Sequence, residues 1–472
     1  MSEKTLPIAL LAALLCGCGS ISERGDWPRF RGPNGSGVSD SRRLPSRLDP
    51  AKDLAWKADV PPGNSSPVVA GGRLFLTGAE GDERIVLAFD ARSGAPLWRK
   101  SLPKAWTEPA NELNGPATPT PAADNESVFV FFPDFGLVAF NTAGEERWRT
   151  PLGPFQSMHG IASSPVLVEG KVVLLIDQLG QSHLEAFDAA SGKPVWRAER
   201  ASGVTGGYST PSVSGSGAAA QVIVSGAFEL TAYAASSGVR TWWVTGLTNA
   251  PVTIPVVDDD KVYVCEPLGE PVSFKQVGPF DKNSDGKISK EEVEAEPGAW
   301  RLLERIDTAW GNGDGLLEES EFVRGFGTFE GNGGLAAVRL GGRGDVTRTH
   351  VAWRYTKALP YVASVAVYRQ VLFMVRDGGI LTTLDPATGS VHKQARLEGG
   401  EGSYYASPVA GDGKVILVSE RGKLSVVKAE AEWEQISSSD LGESTLATPA
   451  IAGGRVYIRT AKRLYCFACG EV

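Results

Sequence analysis

Oxygen-bearing side chains stand at alternate positions in one acidic segment, residues 281–292. Asp281, Asn283 and Asp285 are each two residues apart, Gly286 follows them, and Glu292 ends the run. Calcium accepts roughly six to eight oxygen ligands in a flexible loop that turns sharply at a glycine, so this spacing predicts a calcium site. The expected ligands are Asp281, Asn283, Asp285, Lys287 through its carbonyl, Ser289 and Glu292.

A second segment, residues 307–321, repeats part of the pattern. Trp310 stands where the first loop has Asp281 and offers no side-chain oxygen, so Asp307 would take this place in a longer loop. Weak calcium binding and a purely structural pairing with the first loop both remain open. The candidate ligands are Asp307, Asn312, Asp314, Leu316 through its carbonyl, Glu318 and Glu321.

The first segment matches the EF-hand calcium loop at every diagnostic position, and a solvated acidic turn is the alternative for it; the second segment matches the loop only in part. Leu302, Leu303 and Ile306 are spaced for one helical face, which predicts a linking helix over 293–306 that starts near Pro297. Extracellular calcium modules bind weakly and are usually saturated, so we expect a permanent brace more than a switch. Residues 281–330 hold 13 acidic and 6 basic side chains, and the net charge of −8 argues against a nucleic-acid partner.

Cysteine and histidine offer little further chemistry. Cys466 and Cys469 form a CxxC pair at the end of an apolar stretch, where a structural disulfide or two free thiols is expected, and Cys265 stands alone. The four histidines are His159, His183, His350 and His392, and they fall in different parts of the chain.

The N-terminus reads as an export signal. Lys4 precedes an apolar run from Leu6 to Leu15 that is too short to span a bilayer. Leu15-Cys16-Gly17-Cys18 resembles the lipobox of bacterial lipoproteins. The resemblance implies a signal peptide of residues 1–17 and lipidation of Cys18, and Gly19 after it implies sorting to the outer membrane. The expected location is the cell envelope, lipid-anchored on the periplasmic face of the outer membrane.

A repeat organises the rest of the chain. Each unit starts with a residue, usually a proline after Ser or Thr, that precedes an apolar run. Most of these starts are about 40 to 50 residues apart, and a tryptophan closes most units. Both series jump by about 65 additional residues in the fifth unit, which predicts one insertion there. The starts are Pro67, Pro119, Pro165, Pro211, Pro255, Val365, Pro408 and Pro449; the tryptophans are Trp56, Trp98, Trp148, Trp196, Trp242 and Trp353.

Units of this length with about four short strands predict an all-β fold, an eight-bladed β-propeller with a small α-helical EF-hand insertion in the fifth blade. The last unit lacks its outer strand, and Leu54–Val60 would supply it and so hide an open edge. The expected divisions are the signal peptide 1–17, an anchor and lead-in 18–53, the propeller 54–265 and 334–472, and the insertion 266–333.

The repeat resembles that of pyrroloquinoline-quinone (PQQ) propellers. The motif Ala88-Phe-Asp-x-x-Ser-Gly-x-x-x-Trp98 recurs at Ala186–Trp196, and the segment Trp27–Pro33 is similar to the lead-in of bacterial members. This resemblance covers roughly residues 27–470. It implies either a BamB-like scaffold lipoprotein or a PQQ-dependent alcohol dehydrogenase.

The sequence favours the scaffold. It contains no adjacent cysteine pair, which the resemblance implies for quinone binding, and no CxxCH haem motif. We therefore expect a protein that is not an enzyme, binds calcium and recognises envelope proteins; a dehydrogenase-like quinoprotein and a polysaccharide-binding propeller are the alternatives. The loops before the inner strands would present a ligand face, unless their side chains only pack the channel mouth: Asn114, His159, Tyr208, Tyr361, Tyr404 and Tyr405.

Overall fold

The chain folds into eight blades, each a four-stranded antiparallel sheet, with one additional short strand on blade four. The innermost strands of the first and last blades contact each other, which closes the ring. The structure is a computed structural model that describes residues 25–108, 113–157, 159–178, 180–200, 207–248, 251–267, 273–295, 300, 303–304, 306–308, 311–326 and 333–469. The expected signal peptide and Cys18 lie outside these residues.

The first four blades are continuous in sequence after the N-terminal strand β1 (Leu54–Asp59). Blade one has β2 (Val68–Ala70), β3 (Arg73–Glu80), β4 (Glu83–Asp90) and β5 (Pro96–Pro103); blade two has β6 (Ala122–Ala123), β7 (Ser127–Phe132), β8 (Gly136–Asn141) and β9 (Glu146–Thr150). Blade three has β10 (Val166–Val168), β11 (Lys171–Ile176), β12 (His183–Asp188) and β13 (Pro194–Glu199); blade four has β14 (Ser212–Ser214), β15 (Gln221–Gly226), β16 (Glu229–Ala234) and β17 (Arg240–Thr245).

The insertion separates the two middle strands of blade five, β19 (Lys261–Glu266) and β22 (Gly334–Arg339). Blade five has β18 (Val256–Asp258), β19 (Lys261–Glu266), β22 (Gly334–Arg339) and β24 (Val351–Tyr355); blade six has β25 (Ala366–Tyr368), β26 (Val371–Arg376), β27 (Ile380–Leu384) and β28 (Val391–Arg396). Blade seven has β29 (Val409–Gly411), β30 (Lys414–Val418), β31 (Lys423–Lys428) and β32 (Gln435–Asp440); blade eight has β33 (Ala450–Ala452), β34 (Arg455–Arg459) and β35 (Arg463–Ala468), and β23 (Gly344–Asp345) runs parallel to β17.

Burial along each strand follows its place in the blade. The middle strands are buried on both faces and are continuous apolar runs, such as Ser127–Phe132. The outer strands β1 and β32 alternate between half-buried and exposed residues, because one face packs on a neighbour and the other meets solvent. These two patterns explain why the sequence shows long apolar runs followed by a more polar segment in each unit.

Five of the six closing tryptophans donate a hydrogen bond to a carbonyl of the next blade, whereas Trp242 donates to Gln221 of its own blade. The Trp148 indole N–H donates to the Ala189 carbonyl at 3.0 Å, and the ring covers Gly192, where a Cβ would lie 2.4 Å from it. The predicted packing role of the tryptophans is therefore confirmed at five junctions. The donor and acceptor pairs are Trp56 with Ala91, Trp98 with Thr142, Trp148 with Ala189, Trp196 with Ala235, and Trp353 with Pro386.

Strand β1 completes blade eight, as the sequence predicts. It pairs antiparallel with β35, with Lys57 opposite Tyr465 and Ala58 opposite Leu464. The two ends of the chain thus close the ring together, and the edge of β35 is covered.

The lead-in crosses the base of the central channel. Trp27 is fully buried and bridges to Val69 of blade one, and Val38 bridges to Ala410 of blade seven. Between them, the buried Arg31 guanidinium donates to four carbonyls, those of Gly35, Ser36, Ser364 and Val365. The segment that resembles a family lead-in therefore forms the floor of the channel.

One repeat start needs correction. The sequence contains two Thr-Pro pairs in a row, and the prediction that Pro119 begins the second unit is wrong. The inner strand β6 begins at Ala122, so Pro121 occupies the position that Pro67 and Pro165 hold in their own blades.

The insertion contains two short strands and short helices. Strands β20 (Lys287–Ser289) and β21 (Leu316–Glu318) pair antiparallel, with Ile288 opposite Leu317. The helices whose two ends are both described are α1 (Phe274–Val277), α2 (Glu319–Phe326) and, outside the insertion, α3 (Thr347–His350), and the described residues also form 3-10 turns at Pro33–Gly35, Gly217–Ala219, Gly278–Phe280 and Glu291–Val293. The expected linking helix lies only partly within the described residues, of which 300, 303, 304 and 306–308 are helical. In the described part of the chain, no helix is long and apolar enough to cross a membrane.

Candidate functional site

A ring of hydroxyl groups lines the channel at the start of the inner strands. In seven of the eight junctions, a backbone N–H donates to the Ser or Thr hydroxyl of the next blade at 2.9 to 3.1 Å. At the eighth junction, Ile254 stands in place of a hydroxyl residue, and the Ser209 hydroxyl donates to the Thr253 carbonyl instead. Sequence reasoning missed this role, although the Ser or Thr before each proline was the signal for it. The hydroxyl residues are Ser66, Thr120, Ser164, Thr210, Ser364, Ser407 and Thr448.

A cavity of about 230 Å³ opens above this ring. Phe30 of the lead-in contributes to its lining from the floor, and the hydroxyls form part of its wall. The predicted ligand face forms its rim. Five of its six residues line the cavity: Asn114, His159, Tyr208, Tyr361 and Tyr405.

The rim residues come from different inter-blade loops and contact one another. The Asn114 amide donates to the carbonyls of His159 at 2.6 Å and Gly160 at 3.1 Å, which joins two adjacent loops. The ring centroids of His159 and Tyr208 lie 6.1 Å apart. Tyr361 is 60% exposed, so it offers its ring to solvent at the mouth.

Tyr404 was wrongly placed on this face. It is fully buried, and its hydroxyl donates to the Gly400 carbonyl at 3.1 Å. Adjacent side chains in extended backbone point to opposite sides, so only Tyr405 reaches the cavity. Tyr404 packs in the core between blades six and seven.

The described residues that line the cavity include no Asp, Glu, Lys or Arg. Burial raises the pKa of the Tyr208 phenol. Burial, and secondly the charge of Glu420, raises the pKa of the Tyr405 phenol. Both phenols therefore stay protonated at neutral pH and can donate hydrogen bonds to a partner.

The first acidic loop of the insertion folds around its own carboxylates. Asp281 accepts the N–H groups of Asp285 at 3.1 Å and Gly286 at 2.9 Å, and the left-handed φ of 84° at Gly286 makes the sharp turn. Glu292 accepts the N–H of Ser289 at 2.8 Å and that of Asn283 at 3.2 Å. The loop is thus closed by residues at its first and last positions.

The second loop repeats this arrangement with Asp307 in the first position. Asp307 accepts the N–H groups of Gly313 and Gly315, each at 2.8 Å, and Glu321 accepts those of Asn312 and Glu318. The assignment of Asp307 as a calcium ligand in a longer second loop stays a prediction.

Other predicted ligands make contacts of their own. Asp314 accepts from the Asn312 amide at 2.9 Å, and the Glu318 carboxylate pairs with Lys287 at 2.7 Å. Among the described residues, no three His, Cys, Asp or Glu side chains converge as a metal-binding group.

The three described cysteines are free thiols. Cys265 and Cys466 are buried, and Cys469 is exposed. Burial raises the pKa of Cys466 to about 11, which makes this thiol unreactive. The sequence left a disulfide or two free thiols open for the pair Cys466 and Cys469, and the structure has two free thiols.

A family profile described as outer membrane protein assembly factor BamB matches residues 46–182 and 180–468. No curated protein sequence matches the chain. A crystal structure of BamB from Moraxella catarrhalis has a TM-score of 0.53 and 11% identity over 89% of this chain and 98% of its own.

Dehydrogenases share the same fold. A europium-containing methanol dehydrogenase has a TM-score of 0.62 and 11% identity over 95% of this chain and 98% of its own. A quinohemoprotein alcohol dehydrogenase from Comamonas testosteroni has a TM-score of 0.56 and 13% identity over 96% of this chain and 82% of its own. The sequence-based prediction that the chain is not an enzyme is therefore wrong. The chain shares its fold with dehydrogenases, and the lack of an adjacent cysteine pair and of a haem motif does not distinguish it from them.

Proposed function

Because the chain belongs to the family of the outer membrane protein assembly factor BamB, we propose that it is a binding scaffold of the cell envelope whose recognition surface is the channel mouth. The observation that carries this proposal is the convergence of aromatic and polar side chains around one blind cavity. Interface hot spots are rich in aromatic residues that fill or line such pockets. The expected partner is an envelope protein that inserts an apolar or aromatic anchor.

The shape of the cavity supports recognition of a side chain or short segment. Phe30 and the lead-in close the channel below, so a partner can enter only from the mouth. The uncharged wall favours an apolar anchor, while Tyr208, Tyr405 and His159 can hydrogen-bond to polar groups around it. Lipidation of Cys18, which would hold the scaffold at the outer membrane, is part of the proposal.

Site-specific photo-crosslinking tests the surface. A photoreactive phenylalanine analogue replaces Tyr361 in cells that produce the chain natively, and the matched control replaces Val391, which is 44% exposed on an outer strand of blade six. We expect a discrete adduct with an envelope protein from position 361 alone. No adduct at 361, or the same adducts from both positions, would refute the channel mouth as the recognition surface.

The insertion supplies the second part of the proposed function, calcium binding by a pair of EF-hand loops. The support is the alternating oxygen pattern together with the pairing of the two loops through β20 and β21. Asp281, Asn283, Asp285, Ser289 and Glu292 would hold calcium with the Lys287 carbonyl. The longer second loop would use Asp307, Asn312, Asp314, Glu318 and Glu321 with the Leu316 carbonyl. Calcium would supply charge neutralisation that braces the acidic loops.

Calorimetric titration of calcium into the purified chain tests this part. We expect binding that Asp281→Ala and Glu292→Gln both weaken strongly. The exposed Glu430 lies outside the insertion, so Glu430→Gln is the matched control and should leave binding unchanged. Binding that neither loop variant affects would place the ion elsewhere in the chain.

A further inference from the structure

The tip of a hairpin in blade four enters the apolar core of the insertion. Strands β15 and β16 are joined by a two-residue turn, Ala227-Phe228, since Gly226 pairs with Glu229. Both turn residues are buried, although the tips of propeller hairpins ordinarily face solvent. They share one apolar cluster with residues of the insertion: Ile288, Val293, Trp300, Leu303, Ile306, Leu317 and Phe322.

The members of this cluster belong to the calcium-loop unit itself. Ile288 and Leu317 are the paired residues at the centre of β20 and β21, and both are fully buried. Phe322 lies on helix α2 and packs edge-on against Phe274 of helix α1, with ring centroids 5.7 Å apart. Phe228 therefore packs into the core that the two loops and their helices form together.

The strained backbone of Phe228 indicates that contacts of its side chain hold the residue in place. Its φ is 68°, in the left-handed region that a bulky residue rarely adopts. The matching hairpin of blade six turns through Gly378 and Gly379, with φ of 80° and 69°. Such strain of about 1–3 kcal/mol persists only where surrounding contacts fix the residue, and it marks candidate functional positions.

Backbone hydrogen bonds fix the tip in this conformation. The Phe228 N–H donates to the Thr248 carbonyl at 2.9 Å, and the Phe228 carbonyl accepts from Gly246 at 2.8 Å. Thr248 in turn donates twice to Glu266, the residue at which β19 ends and the insertion begins. The hairpin tip and the root of the insertion are thus parts of one hydrogen-bonded unit.

Paired EF-hand loops form an apolar cleft whose opening depends on calcium, and in sensor proteins the cleft receives an apolar anchor from a target. We propose that Phe228 is the built-in target of the insertion, an intramolecular anchor that occupies this cleft and couples calcium binding to the packing of blade four. The inference rests on the proposed calcium function. Linkage is reciprocal, so docking of Phe228 strengthens calcium binding and calcium strengthens docking.

Calcium titration of the purified full-length chain tests the coupling with Phe228→Gly and Phe228→Ala. Glycine keeps the left-handed turn without strain, so the glycine variant removes the ring and leaves the hairpin intact. We expect calcium affinity to fall about tenfold in both variants, within the usual range of coupling between two sites. The thermal stabilisation by calcium should shrink in parallel. Phe135→Ala, at the corresponding hairpin tip of blade two, is the matched control and should bind calcium like the parent chain.

The outcomes separate the two proposals. Parent-like calcium affinity in both Phe228 variants would overturn the coupling and leave calcium binding intact. Absence of calcium binding by the parent chain would overturn the calcium function and the coupling together. Reduced affinity in Phe228→Ala with parent affinity in Phe228→Gly would assign the effect to backbone strain and would also overturn the anchor role.

Discussion

At the scale of single residues, buried ionisable side chains form hydrogen bonds with backbone and hydroxyl groups. Glu266 is fully buried and accepts from the Ser225 hydroxyl and from the N–H and hydroxyl of Thr248, at 2.7 to 2.8 Å. Arg459 donates to carbonyls of Ser65, Thr77 and Pro61, which fixes the ring closure between blades eight and one.

Glu266 gives a pH dependence of unusual sign. Burial raises the pKa of its carboxyl, so the folded chain binds this proton at a pH where the unfolded chain has released it. The contribution of Glu266 to stability is therefore present below the ordinary glutamate pKa and falls as pH rises through the raised value. We expect Glu266→Gln to reduce this fall, measured as urea midpoints at several pH values from 4 to 8 (about the range in which carboxyls titrate). An identical pH profile in both proteins would show that Glu266 does not contribute.

Arg31 fastens the lead-in to the channel floor. Burial lowers the pKa of Arg31 to about 9, and its planar guanidinium serves four carbonyls that a lysine ammonium cannot reach together. We expect Arg31→Lys to lower the free energy of unfolding by about 2 kcal/mol. The exposed Arg42→Lys is the control in the same denaturation experiment. Equal stability of the two variants would contradict the fastening role.

At the scale of elements, the blade repeat could be predicted from the sequence because its period and its tryptophans are local. The register of one unit could not, since Thr118-Pro119 and Thr120-Pro121 have the same local pattern and only the inter-blade hydrogen bonds distinguish them. The prediction for Tyr404 is wrong for the same reason, because a shift of one residue exchanges the core side and the cavity side. Phe228 carried no sequence signal, because its partners lie more than about forty residues away in the insertion.

Packing of tryptophan on glycine between blades can be measured with two matched glycines. Gly192 and Gly170 both have φ of 70°, but only Gly192 lies under a tryptophan ring, while Gly170 faces open space. Gly170→Ala should cost about 1–2 kcal/mol from backbone strain alone. Gly192→Ala should cost a further ~1–3 kcal/mol because its methyl collides with Trp148. Equal losses in chemical denaturation would mean that the tryptophan does not clamp the junction.

At the scale of the whole molecule, the ring is closed from outside by β1 and from below by the lead-in. The lead-in contacts blades one, two, four, six and seven in turn, through residues such as Pro28, Arg29 and Leu44. The sequence motif of the lead-in could be recognised, but its path could not, because it follows from contacts with inner strands that lie up to several hundred residues away. The result is a channel with one blind end and one open mouth.

The open mouth also faces the same side of the propeller as the insertion. The insertion begins at Glu266, whose partner Thr248 lies in the loop that leads to Ile254 on the channel wall. The insertion and the channel mouth are therefore neighbours on one face, while the lead-in covers the opposite end of the inner strands.

The most direct test of the central claim is the affinity of the partner captured at position 361 for the purified chain, measured by calorimetry. The double variant Tyr361→Ala/Tyr405→Ala removes two rim aromatics, and Val391→Ala/His392→Ala is the control on the outer strand of blade six. Loss of hot-spot aromatics costs about 2 kcal/mol or more, so the rim variant should bind at least about thirtyfold more weakly and the control should bind like the parent. Equal affinity of the rim variant and the parent chain would contradict recognition at the channel mouth.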